Sequence, residues 1–435
     1  MVVRAEVVVV GAGMFGSAAA KYIGRAGADV LVIGPEASAG GGSAPLSAYS
    51  AHRDEARIVR RLGWDRVWGT LDTRSADRLP TIEGESGVGF FTECGALALM
   101  GKGVRDRTRE MLRLSAAAGV TVEEVSGTTL GTDFPDLGVP LVAGGVDGLL
   151  ERRNAGYLNP RLMVRAQLEL ARAAGARLAR GHVVDVRHGG GARGPWTLQV
   201  ATGQGEFEVR AEKVLVAAGS LLNRSGALPA ARELDLQAFT EPNLLFEVAG
   251  EQLRRLLALP TVVVVDPEDS GNDNLSAYLL PPVRYPDGKW YVRIGPGMQP
   301  LVHELRTASE MRAWCAAQTV TREQALFLRN AMRTLIPALE PVSVHAACCV
   351  VDKTPTRHPY IGALDEDGTL TVAVGGNGHG ARGSDEIGRL AATVVLGQAW
   401  DFPLPQEVFA PRAAAPDPAS ARVRPGYLTP PYGLC

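Results

Sequence analysis

The chain has 435 residues, enough for about two to four domains and a full core. Its 45 basic and 47 acidic residues are mixed throughout, so no nucleic-acid footprint appears, and 46% hydrophobic against 21% charged residues excludes a disordered chain. Glycine is high at 51 residues, with no Gly-X-Y period, which excludes collagen and calls for specific positions where backbone must approach closely.

Residues 5–10, AEVVVV, form a β-branched run that reads as a strand buried on both faces. Gly11, Gly13 and Gly16 follow, then a small-residue helix over 14–26 and a second strand over 29–33, which makes a βαβ unit. Asn159-Pro160 opens a helix that Gly175 ends. HVVDVRH at 182–188 reads as a strand, WTLQV and EFEVR as a hairpin, and KVLVAAG at 213–219 as a separate apolar strand. Residues 226–340 change character: strands over 260–266, 276–283 and 290–295 precede helical residues over 305–335, with Thr321 and Gln324 as a capping box. A buried strand at 370–375 and a helix over 384–396 close the ordered part. The last 25 residues carry six prolines and read as an extended tail.

No apolar run nears 18 residues, so no membrane span is expected. The N-terminal apolar run is too short for a signal peptide, and the reading is a cytoplasmic protein. Cys94, Cys315, Cys348, Cys349 and Cys435 form no disulfide framework, and the seven histidines show no HExxH spacing, so no metal site is expected.

GAGMFG at 11–16 fits G-x-G-x-x-G between strand and helix: Gly11 for the turn, Gly13 for approach to a pyrophosphate, Gly16 for helix–strand packing. The carboxylate that usually ends the second strand is absent, because Gly34 stands there; Glu36 holds the ribose through a longer turn, or backbone does. A second glycine nest, GGNGHGARG, precedes the 384–396 helix. A flavin dinucleotide, which spans its domain, needs such a second approach, and the helix dipole there suits negative charge on reduced flavin.

Together with RDEARIVRR (53–61), GYLNPRLMVRAQLELARAAGA (156–176), KVLVAAGSLLN (213–223), CCVVDKTPTRHPYIG (348–362) and VGGNGHGARGS (374–384), these loops resemble the D-amino-acid-oxidase-like flavoproteins, and more closely the monomeric sarcosine oxidase group. The resemblance implies an α/β fold: a Rossmann-type FAD-binding domain (1–85, 150–225 and 340–410) with an inserted α+β mixed-sheet substrate domain (86–149 and 226–339), then the tail (411–435). It implies FAD contacts from the 11–16 loop, including Met14 and Phe15, and from Arg57, Val184, Ala218, Gly219, Gly378 and Gly380. Cys349, five residues before Thr354-Pro355, matches the cysteine that carries FAD as a thioether in that group. Arg60 and Arg382 match the two cations that hold a substrate carboxylate. Arg293 stands where the group has an oxygen-activating lysine, Tyr278 matches a pocket tyrosine, and His379 falls in the GHG turn near the flavin.

The implied function is FAD-dependent oxidation of the C–N bond of a secondary amine or amino acid, N-methyl or cyclic, to an imine, with oxygen reoxidising the flavin to give hydrogen peroxide. Val351, where the group has an aromatic residue, points to a substrate larger or more apolar than sarcosine. Arg293 in place of lysine leaves open a dehydrogenase of the same fold, and a tailoring oxidase acting on a larger amino-acid unit is the other alternative. A non-catalytic FAD-binding protein would not need both carboxylate cations. The implied partners are thus a small amine or amino-acid substrate and oxygen, with no nucleic acid and no membrane.

Overall fold

The structure, a computed structural model, describes residues 2–35, 51–63, 65–101, 105–138, 147–189, 195–229, 232–265, 276–297 and 301–415. Glu36, Cys435 and the tail from residue 416 lie outside the described residues.

Three sheets organise the chain. The first holds β1 (Val2–Val10), β2 (Val30–Gly34), β9 (Arg177–Arg180), β10 (His182–His188), β11 (Trp196–Thr202), β12 (Gly205–Val216), β18 (Tyr360–Ala363) and β19 (Leu370–Val374). Its parallel centre runs β9-β2-β1-β12-β19, and β10 and β11 extend it antiparallel. The small sheet is β3 (Arg57–Val59), β8 (Gly156–Leu158) and β4 (Phe91–Glu93). The third runs β17-β13-β16-β15-β14-β5-β7-β6, from β5 (Ala96–Met100), β6 (Glu123–Val125), β7 (Asp147–Glu151), β13 (Gln237–Val248), β14 (Thr261–Val265), β15 (Ala277–Arg284), β16 (Trp290–Pro296) and β17 (Val344–Lys353). The helices are α1 (Met14–Arg25), α2 (Arg66–Ala76), α3 (Leu79–Ser86), α4 (Arg105–Ala117), α5 (Gly127–Asp133), α6 (Pro160–Ala173), α7 (Gly250–Leu256), α8 (Ala308–Ala317), α9 (Arg322–Leu335) and α10 (Ser384–Leu396). None of them is long and apolar enough to cross a membrane.

The mixed α/β architecture expected from the sequence is present. Val7, Val8 and Val9 of β1 are fully buried because Val7 and Val9 pack against α1, α6 and α10 on one face of the sheet, while Val8 on the other packs in a cluster with Leu222, Leu228, Leu234 and Leu236. Small residues let α1 and α10 close on each other: a Cβ on Gly388 would stand 2.4 Å from the Ala18 Cβ. Asn159 caps α6 by accepting from the Arg161 and Leu162 N–H groups, and the Thr321–Gln324 capping box is formed.

The structure refines the sequence reading at three places. EFEVR and KVLVAAG are one continuous strand, β12, whose first half pairs with β11 and whose last residues pair with β19. The helical stretch over 305–335 is broken into two helices, since Gln318 takes a left-handed conformation (φ +45°) that ends α8 and the Thr321–Gln324 capping box opens α9. Two long strands were not read from the sequence, β13 and β17. β13 is buried along its whole length, so it lacks the alternation that signals a strand.

Candidate active site

The first glycine loop follows from packing. Gly11 has φ +111°, and a Cβ on it would lie 2.4 Å from the Ala217 carbonyl oxygen at the end of β12. A Cβ on Gly16 would lie 1.8 Å from the Gly11 carbonyl oxygen. Gly13 differs: the nearest atom to its would-be Cβ is His52 Nδ1 at 3.8 Å, so it leaves space toward the cavity. Gly34 now has a reason. A Cβ there would stand 2.5 Å from the Ala12 Cβ, so the loop packs down on the end of β2 where a carboxylate would otherwise project.

The second nest turns at Gly375 (φ +82°), Asn377 (φ +53°) and Gly378 (φ +90°). Its Gly375 and Gly376 N–H groups donate to Asp352 at 3.2 and 3.0 Å. The two loops meet: a Cβ on Gly380 would lie 2.9 Å from the Phe15 ring. The second nest leads into α10 at its N-cap, Gly383. The helix's first turn carries the protein's own Asp385 and Glu386, whose carboxylates are bound by Lys21 and Arg78.

Both loops line one cavity of about 1750 Å³. That exceeds the ~300–1,000 Å³ of a pocket for one drug-sized ligand and suits an extended dinucleotide. Its wall includes Gly11, Gly13, Met14, Phe15, Val184, Ala218, Gly219, Gly378 and Gly380, and also Arg57, Arg60, Tyr278, Arg293, Cys349, His379 and Arg382. Gly16 packs beneath the wall, and Val184 is 43% exposed on β10 at the rim. The residues present therefore fit FAD: a tight backbone cradle at one end, an open path past Gly13, and a sulfur and several cations at the other end. Beside Gly13, burial and nearby arginines push His52 down to about 4, so its ring is neutral.

At the far end the cations arrive already partnered. Arg293 and Arg57 both bind Asp54, which also accepts from the Tyr285 hydroxyl at 3.1 Å. Burial raises the Asp54 carboxyl, but Arg293 and Arg57 outweigh it and hold it at about 2. Arg293 further donates to Asn243 Oδ1 at 3.1 Å and to the Tyr278 hydroxyl at 3.1 Å. Arg57 Nη2 donates to Cys349 Sγ at 3.4 Å. Cys348, the neighbour, points the other way and donates to the Thr319 carbonyl.

Arg382 Nε donates to Asp72 at 2.6 Å, and its Nη2 donates to His379 Nδ1 at 2.6 Å. His379 stacks on Trp68 with ring centroids 4.8 Å apart. Burial and then Arg382 push its pKa well below the usual range, so the ring is neutral with its proton on Nε2. Arg60 donates to the Leu62 carbonyl and is 2% exposed.

Several residues at this end were not foreseen: Asp54, Asp72, Trp68, Asn243 and Glu241. Asp54 lay inside the quoted RDEARIVRR segment, and its place next to basic residues was the available signal. Asp72 and Glu241 gave none, because one sits on α2 and the other on β13, far from every motif.

A family model described as FAD dependent oxidoreductase, DAO, matches residues 6–394. Monomeric sarcosine oxidase of Bacillus sp. (strain B-0618) is 23% identical over 403 residues, covering 90% of this chain and 92% of its own. N-methyl-L-tryptophan oxidase of Salmonella dublin is 23% identical over 401 residues, covering 92% and 96%. The solved L-proline dehydrogenase from P. horikoshii shares the fold with a TM-score of 0.72 at 19% identity, over 94% of this chain and 97% of that one. With a family match over nearly its whole length and a cavity built for a dinucleotide, the chain belongs to the DAO family of FAD-dependent oxidoreductases.

Proposed function

We propose that this protein oxidises the C–N bond of a secondary amine or amino acid, of N-methyl or cyclic type, to an imine, with oxygen accepting the electrons as hydrogen peroxide. The observation that carries this reading is the shared cavity, which brings both glycine loops, Cys349, Tyr278 and the cations Arg60 and Arg382 onto one wall. Bound FAD supplies a two-electron hydride acceptor. The protein's own residues bind and shield. Arg60 and Arg382 hold the substrate carboxylate, Tyr278 shapes the pocket, and the buried wall excludes water so that charges act strongly. The small-amine reading agrees with the names of the sarcosine and N-methyl-tryptophan oxidases it resembles.

Arg293 supports a second reading, a dehydrogenase that passes electrons to another carrier. It stands where the resembling group has an oxygen-activating lysine, but its charge is shared with Asp54, so less of it is left to stabilise reduced oxygen. Anaerobic flavin bleaching across N-methylglycine, N-methyl-L-leucine, N-methyl-L-tryptophan and L-proline tests the first reading, and absence of bleaching by all four overturns it. Peroxide yield against dye reduction with the bleaching amine then separates oxidase from dehydrogenase.

The proposal includes FAD attached through Cys349. Its sulfur lines the cavity, and Arg57 places a cation against it. Flavin fluorescence is expected to stay with the wild-type polypeptide on a denaturing gel and to vanish in Cys349→Ala; release of all wild-type flavin into acid supernatant refutes the attachment. We also assign 1–85, 150–225 and 340–410 to the FAD-binding part and 86–149 and 226–339 to the substrate part, with β17 joining the substrate sheet by its pairing to β13.

Asp72 bears on carboxylate recognition. Burial pushes its carboxyl up to about 7 against the pull of Arg382 and Arg60. Below about 7 it is neutral and Arg382 keeps its full charge; above, Asp72 cancels that charge. Affinity for a carboxylate ligand with no ionisable nitrogen, (methylthio)acetate, is expected to fall about tenfold as pH rises from 6 to 8, a change of ~1.4 kcal/mol. Asp72→Asn is expected to flatten that profile, as read by flavin absorbance titration.

A further inference from the structure

An amino acid carries two charges, and the cations described above answer only one of them. A complementary cavity also needs an anion for the ammonium. The wall carboxylates are therefore informative. Glu55 is bound by Arg161, Glu169 by Arg172, and Asp352 by the Gly375 and Gly376 N–H groups. Asp54 and Asp72 are committed to arginines. Glu241 also lines the cavity, and it takes part in no ion pair among the described residues. It is 5% exposed, and its Oε1 has no hydrogen-bond partner there. A buried carboxyl oxygen without a partner costs about 1–3 kcal/mol, so its retention calls for a ligand.

Register decides where that carboxyl points. Glu241 of β13 stands directly opposite Cys349 of β17, and paired residues share one face of a sheet. Asn243, two residues on along β13, shares that face and binds Arg293. Glu241 thus lies on the same wall as the sulfur, Arg293 and Tyr278. The titratable groups that face it are Cys349 and Lys353 from β17, Arg293 from β16, Tyr278 from β15 and Arg57 from β3.

We propose that Glu241 is the substrate-amine residue: it binds the incoming ammonium as a carboxylate and takes one proton from it, leaving a neutral amine and a neutral carboxyl. This deepens the functional reading above and rests on it. The step balances as one proton moved from nitrogen to a carboxylate oxygen, with no electron transferred. It matters because an ammonium has no free lone pair to assist loss of hydride from the adjacent carbon. Burial favours the neutral pair over two charges. Burial likewise pushes the Glu241 carboxyl up to about 7 against Lys353 and Arg293, which suits a group that both gives and takes protons near neutrality.

The test uses the flavin-loaded enzyme, the amine that bleaches it, and the thioether isostere of that amine, which carries no ionisable nitrogen. Both are titrated by flavin absorbance, anaerobically at short times for the amine, from pH 5.5 to 9. The ratio of amine to thioether affinity cancels the effect of Asp72 on the shared carboxylate. In wild type this ratio is expected to rise at least tenfold as Glu241 ionises through about 7. In Glu241→Gln it is expected to be low and flat, with thioether affinity and covalent flavin content within twofold of wild type, and Glu241→Asp is expected to restore part of the slope. An unchanged ratio and slope in Glu241→Gln overturns the proposal, as does equal weakening of both ligands. If no amine bleaches the wild type, the functional reading itself fails and this inference with it; if amines bleach both proteins with the same profile, only the inference fails.

Discussion

Asp385→Ala is expected to destabilise the protein by about 3–5 kcal/mol, the cost of removing one partner from a buried charge cluster. Asp385 is 1% exposed and is bound by Lys21 at 2.6 Å, Arg78 at 2.5 Å, Gln167 at 2.9 Å and the Tyr22 hydroxyl at 2.8 Å. These groups come from α1, α6 and the turn before α3, so the carboxylate, itself on the first turn of α10, joins four segments around the first sheet. Its loss strands the Lys21 ammonium, itself 1% exposed, in the core. With about 2.1 cal/mol/K of unfolding entropy per residue, the loss corresponds to a Tm drop of about 3–5 °C, measurable by calorimetry at pH 7.

The same carboxylate sets an acid limit. Burial raises its pKa, but Lys21 and Arg78 outweigh burial and hold it at about 2, below the ordinary 3.8. A depressed carboxyl contributes stability that is fully present above the unfolded value and is lost as pH falls through the folded one. The Tm of the wild type is therefore expected to fall between pH 4 and pH 2, with about 2 kcal/mol assignable to this group. Asp385→Ala is expected to lose that part of the slope. A parallel acid slope in the two proteins would show that Asp385 does not carry it.

The second large effect is at the first glycine loop. Gly16→Val is expected to yield protein with at least tenfold less flavin and lowered thermal stability, because a Cβ there would stand 1.8 Å from the Gly11 carbonyl oxygen and would force the loop off the end of β12. Gly13→Ala makes the contrast. Its Cβ would meet protein atoms no closer than 3.8 Å, so the fold is expected to hold and only flavin binding to weaken. Flavin content per polypeptide and Tm, measured together, separate the two outcomes. Equal loss of both properties in the two variants would contradict the assignment of Gly13 to the ligand and Gly16 to the fold.

Local signals were legible wherever a residue's role is fixed by its neighbours in sequence. The AEVVVV run, the caps at Asn159 and Thr321, and the glycines at 11 and 16 need only a few adjacent residues to act, and the structure shows each doing so. The long strands β13 and β17 were harder. β13 is buried on both faces and carries Thr240, Glu241, Pro242 and Asn243 in its middle, a polar cluster with Pro that reads as a turn when its partners are unknown. It is a strand because β16 and β17 pair with it on either side.

The site divides in the same way. Cys349, Arg60, Arg293 and Arg382 were singled out through motif order, which preserves sequence spacing, and all four line the cavity. What each cation does was not, because charge is decided by neighbours in space: Asp54 lies 239 residues from Arg293, and Asp72 lies 310 residues from Arg382. The sequence by itself determined that a glycine loop joins β1 to α1, where its tight turns lie and which residues cap α6 and α9, since backbone approach and capping are local. Only the tertiary structure decided that the two glycine loops meet at Phe15 and Gly380, that Gly34 is glycine because Ala12 lies against it, and that Glu241 Oε1 in the cavity has no hydrogen-bond partner among the described residues. Those facts depend on the packing of distant segments in three dimensions, where a Cβ or a charge is accepted or refused by atoms that the sequence does not place beside it.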